Sequence, residues 1–161
     1  GSPFLAVMAA TFAGSHELSY AVTIVNSGDA AVTGVTVSDD LGAFELDGAT
    51  LYPLSYVDSS VIQLVNGAPA AAPTVTAGPP LVFSDIEVPA GGSVTLIYEA
   101  RVTAYAPMGE GAEIVNTVSV TGSGIAEPVT AGATVPMEAM ADLSITKAMR
   151  PSSSTMPPAW I

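Results

Sequence analysis

An all-β fold of two packed antiparallel sheets follows from three observations on this 161-residue chain. Apolar residues make up 49% of it and charged residues only 11%, a balance that supports a folded core. Val and Thr recur where a helical protein would carry Leu, Ala, Glu and Lys. Gly (15) and Pro (13) interrupt the chain at short intervals, as they do in proteins made of short strands and tight turns.

The first segment, "FLAVMAATFA" (4–13), resembles the apolar stretch of a secretion signal. It lacks a basic leader and its spacing suits a strand. Gly1-Ser2 reads as a cloning remnant, with any signal or anchor lying outside this sequence. In "ELSYAVTIV" (17–25), Leu18, Tyr20, Val22 and Ile24 alternate with smaller or polar residues, giving one apolar face. "NSGDA" (26–30) is turn chemistry. Val35 and Val37 alternate again, so 17–25 and 35–38 are expected to form an antiparallel hairpin. Asn66-Gly67 predicts a second hairpin, because both central residues of a type I′ turn need positive φ.

Further strands are expected at 81–86, 93–103, 112–124 and 128–137, with loops and short strand pieces at 41–58 and 104–111. Roughly eight to ten strands at this spacing make an immunoglobulin-like β-sandwich. Residues 1–136 are assigned to that sandwich. Residues 137–161 are assigned to a linker, "MEAMAD", followed by the first strand of another repeat or a donor strand and tail. "PFLAVMAA" (3–10) aligns with "ADLSITKA" (141–148), Leu5 on Leu143 and Val7 on Ile145, which points to tandem domains.

Fifteen acidic residues face three basic ones, for a net charge of −12. That excludes nucleic acid and anionic membrane surfaces as partners. Without cysteine there is no disulfide, thiol nucleophile or thiolate metal site. No segment approaches the ~20 apolar residues that span a bilayer as a helix.

Catalytic machinery is not visible. The one histidine, His16, lies in a polar turn, and no phosphate-binding loop occurs. Adjacent Asp39 and Asp40 point to opposite faces of a strand and so do not share a proton. Asp39, Asp40, Glu45 and Asp47 form an acidic cluster whose oxygens suit Ca²⁺, although their spacing is not that of an EF-hand and a solubilising loop is the commoner explanation. No other cofactor is expected.

Blocks "LSYAVTIVNSGDAAVTGVTVSDDLG", "VPAGGSVTLIYEARV", "IVNTVSVTG" and "ADLSITKAMRP" resemble, in order and spacing, the DUF11 conserved repeat of bacterial and archaeal cell-surface proteins. The resemblance covers most of residues 4–150. It implies an Ig-like sandwich in a secreted, multi-repeat surface protein. The first strand departs from the pattern: Ala9 stands where the family often has Lys, and Lys appears only at Lys147.

Some bacterial surface domains join such a Lys to an Asn on a late strand through an isopeptide bond, assisted by a buried carboxylate. The corresponding candidates are Lys147, Asn116 and Glu99; Ala9 occupies the position expected to face Asn116 within the domain, so the bond would join Lys147 of one molecule to Asn116 of a neighbour. An exposed charge guarding a strand edge is the simpler role for Lys147.

The expected function is a non-enzymatic structural module of an extracellular, bacterial surface protein, a repeat in a stalk or fibre. Neighbouring repeats or identical subunits would be its head-to-tail partners. One alternative is a filament subunit that donates its terminal strand, with Leu143, Ile145, Lys147, Trp160 and Ile161 at the interface. Another is an adhesin that binds a ligand through end loops around Tyr52, Tyr56 and Tyr105 or the acidic cluster.

Overall fold

Alternation of apolar and small polar residues becomes alternation of buried and exposed positions in the computed structural model, which describes residues 2–140. Thirteen strands form. They are β1 (Phe4–Gly14), β2 (Glu17–Asn26), β3 (Val32–Asp39), β4 (Phe44–Leu46), β5 (Ala49–Leu51), β6 (Leu54–Tyr56), β7 (Ile62–Val65), β8 (Ala68–Ala70), β9 (Thr74–Thr76), β10 (Leu81–Val88), β11 (Gly92–Val102), β12 (Glu113–Thr121) and β13 (Val129–Pro136). The count exceeds eight to ten because 41–58 and 62–76 break into pieces of three or four residues.

One sheet runs β1-β2-β11-β7-β8, with β6 also paired to β11. The other runs β13-β12-β3-β10-β9, and β4-β5 form a separate ribbon. Every pairing is antiparallel. Leu18, Tyr20, Val22 and Ile24 of β2 face Val94, Leu96, Tyr98 and Ala100 of β11 along one inner face. Val35 and Val37 of β3, Phe83 of β10 and Val118 and Val120 of β12 supply the other. These side chains form one continuous core.

Strands 17–25 and 35–38 do not pair with each other. β2 lies between β1 and β11, and β3 lies between β10 and β12, so residues 27–31 carry the chain from one sheet to the other. Turn residues permit a reversal, but burial of both apolar faces requires a partner across the sandwich. The Asn66-Gly67 hairpin forms as expected, joining β7 to β8 with φ of 50° and 82° at its two residues. In β10 the register shifts between Phe83 and Ile86, where Asp85 takes φ 63°. This bulge brings both Phe83 and Ile86 inward.

Strand direction defines two poles. Phe4 and Gly92 lie opposite Asn26, and Ser27 N–H donates to Pro3 C=O. At the far pole Pro136 lies opposite Glu113, and Met137 N–H donates to Ala112 C=O. Residues 137–140, expected as linker, are helical, and Met140 is buried against the core. Along one lateral side β1 packs beside β13. On the opposite side β8 and β9 end the two sheets and do not pair with each other.

Candidate functional site

Apart from the tyrosines, three polar side chains are buried among the described residues: Asn26, Asp39 and Asn116. Asp39 and Asn116 meet. The alternation that turns Val35 and Val37 inward also turns Asp39 inward, and that of β12 does the same for Asn116 between Ile114 and Val118. Asp39 Oδ2 accepts from Tyr98 O–H at 2.5 Å and from Asn116 Nδ2 at 3.1 Å, while Oδ1 accepts from Leu41 N–H at 2.8 Å. Asn116 Oδ1 accepts from Gly42 N–H at 3.1 Å. Tyr98 belongs to one sheet and Asp39 to the other, so the cluster ties the layers together.

Asp40 is only partly buried. Its Oδ1 accepts from Gly42 N–H and Thr117 N–H. Together the two aspartates hold Leu41 and Gly42 at φ of 56° and 75°. Leu41 is a non-glycine residue in the left-handed region, sustained by these side-chain bonds. A side chain at Gly42 would press on Ile114 and Pro53.

Burial raises the Asp39 carboxyl from 3.8 to about 6, against the three donors that favour its charged form and with a smaller upward push from Asp40. Burial and the charge of Asp39 raise the Tyr98 and Tyr20 hydroxyls well above their usual value. Tyr20 packs against Tyr98 with ring centroids 6.1 Å apart, and its buried hydroxyl has no hydrogen-bond partner among the described residues.

The trio proposed from sequence is not assembled as expected. Glu99 alternates with buried Tyr98 and Ala100, so it lies on the outer side of its sheet, away from Asn116. The carboxylate beside Asn116 is Asp39. Ala9 lies on the exposed face of β1 and does not face Asn116. Lys147 lies outside the described residues, as do Leu143, Ile145, Trp160 and Ile161. The inward turn of Asp39 was readable, since extending the Val35–Val37 alternation by one step predicts it.

The calcium candidates diverge too. Asp39 is enclosed in the core, Glu45 on β4 accepts from Thr50 O–H, and Asp47 sits in the β4–β5 turn at φ 52°. Among the described residues no three His, Cys, Asp or Glu side chains are grouped to hold a metal. His16, at φ 64° in the β1–β2 turn, has its ring against the adjacent Ser15 hydroxyl.

Tyr52, Tyr56 and Tyr105 do converge. They line a groove of about 550 Å³ with Leu41, Leu54, Pro79 and Thr103, at the pole where β3 and β11 end. The groove continues past Tyr56 and Ala77 toward Asp58 and Val75. No helix among the described residues is long and apolar enough to cross a membrane.

No family model matches the chain, and no curated protein matches its sequence. Solved structures do match its fold. The full-length major pilin SpaD from Corynebacterium diphtheriae superposes with a TM-score of 0.58 at 15% identity, over 82% of this chain and 35% of the pilin. The pilus backbone RrgB from Streptococcus pneumoniae gives 0.54 at 12% identity, over 73% of this chain and 31% of the other. The collagen adhesin of S. aureus gives 0.51 at 10% identity, over 83% and 49%. The chain thus spans between 31% and 49% of these proteins' lengths.

Proposed function

We propose that this chain is a non-enzymatic structural module of an extracellular bacterial surface protein, a rigid repeat of the DUF11 type in a stalk or fibre. The carrying observation is the pole-to-pole layout. Pro3 and Pro136 lie at opposite ends, and the long strands between them run along that axis. A pull applied at those two points loads β1–β2, β2–β11 and β12–β13 in shear, where several hydrogen bonds must break together. The bonds across the layers, from Tyr98 to Asp39 and from Asn26 to Val88, oppose sliding of one sheet over the other.

The fold shared with pilus-backbone and adhesin domains supports the same use. The interior polar groups also support it, since Asp39 and Asn116 spend their bonding capacity on each other, on Tyr98 and on the backbone. Neighbouring repeats or identical subunits, joined head to tail, are the partners this layout suits.

Sedimentation velocity and electron microscopy of the purified chain separate the two assemblies. A spacer stays monomeric on dilution, whereas a strand-donating subunit forms fibres. Force spectroscopy of a tandem array should show repeated unfolding peaks, one per module. Unfolding without resolved peaks, or an enzymatic turnover lost on His16→Ala, would contradict the proposal.

A further inference from the structure

We propose that the groove lined by Tyr52, Tyr56 and Tyr105 is a binding site for a neutral sugar ring. Its volume of about 550 Å³ falls within the ~300–1,000 Å³ usual for ligand pockets. No charged residue lines it, in a chain whose net charge is −12. A charged ligand would therefore lose hydration without gaining a counter-charge.

A wholly apolar ligand fits no better. Of the groove's hydroxyls, Thr50 donates to Glu45 and Thr103 donates to Tyr52 C=O. Those of Tyr52, Ser55 and Tyr105 have no partner among the described residues. Covering them with hydrocarbon would strip their water and return nothing. A neutral polyhydroxylated ring meets both demands: its C–H faces pack on tyrosine rings and its hydroxyls bond to theirs.

The walls are set before any ligand arrives. Tyr56 O–H accepts from Val61 N–H, and its ring meets Phe83 edge-on at 6.0 Å. Thr103 N–H donates to Pro53 C=O and Leu54 N–H to Leu41 C=O, fixing opposite sides. Such preorganisation lowers the cost of binding. Asp58, where the groove continues, adds repulsion against acidic sugars.

The site is independent of the stalk role, since a spacer without a ligand keeps every feature argued for that role. The test is an amide NMR titration of the full chain with neutral hexoses, N-acetylhexosamines and their disaccharides, with uronic acids as anionic controls. Shifts should concentrate at Tyr52, Tyr56, Thr103 and Tyr105 for neutral sugars only. Tyr105 is 60% exposed, so Tyr105→Ala should keep the native spectrum while weakening binding about tenfold. Tyr105→Phe, which removes only the hydroxyl, should weaken it less. Four results would each overturn the proposal: no shift with any neutral sugar at tens of millimolar, shifts elsewhere, unchanged affinity in Tyr105→Ala, or preference for uronic acids. So would an extended uncharged peptide that binds the groove when no sugar does.

Discussion

Asn26 and Asp39 do the same architectural work at opposite poles with different chemistry. Asn26 extends from the β1-β2-β11 sheet and donates to Val88 C=O in the other sheet and to Ala30 C=O, while accepting from Gly28 N–H. Asp39 extends from the second sheet and is reached by Tyr98 from the first. Each is almost fully buried, closes the turn that follows it, and ties the layers. Asn26 is neutral at every pH. Asp39 carries a charge above about 6, its folded-state pKa, and burial penalises that charge. A buried amide thus gives a cross-layer tie that ignores pH, and a buried carboxyl gives one that does not.

The largest effect should come from Asp39→Ala. It leaves Tyr98 O–H, Asn116 Nδ2 and Leu41 N–H without their acceptor, at a cost of about 4 kcal/mol, read as a fall in the chemical-denaturation midpoint. The next sharpens the comparison through pH. A carboxyl raised from 3.8 to about 6 binds its proton more tightly in the folded state. Its contribution to stability is therefore complete below about pH 4 and is lost as pH rises through 6. Measured against Asp39→Asn, the parent chain should lose about 3 kcal/mol between pH 4 and 7. Parallel curves would show that Asp39 titrates normally.

Asn26→Ala should cost about 2 kcal/mol, by the same denaturation measurement, equally at pH 4 and pH 7. A pH-dependent loss there would erase the contrast between the poles. The smallest effects compare two stacked tyrosines. Tyr98→Phe removes a donor from Asp39 and should cost about 1 kcal/mol. Tyr20→Phe removes a buried hydroxyl that has no partner among the described residues, so it should be neutral or stabilising by up to about 1 kcal/mol.

Much of the fold was legible because alternation is a local signal. Leu18 to Ile24 declared their inner face, and Asn66-Gly67 declared its turn. The β2–β3 connection was misread because "NSGDA" specifies that the chain turns, not which strand it turns toward. Glu99 was misassigned by one step: as a strand neighbour of Tyr98 it must face the opposite way. Tyr52, Tyr56 and Tyr105 were grouped from the sequence as loop aromatics, and they do share a groove, although Tyr56 lies on β6 rather than in a loop.

By itself, then, the sequence determined an all-β chain with alternating faces, an acidic surface and no thiol chemistry, since these follow from residue type and nearest neighbours. Tertiary structure decided which strand pairs with which and that Asp39 rather than Glu99 meets Asn116. Those outcomes depend on contacts between residues far apart in the chain, such as Asp39 and Asn116, and are settled only when both apolar faces are buried at once.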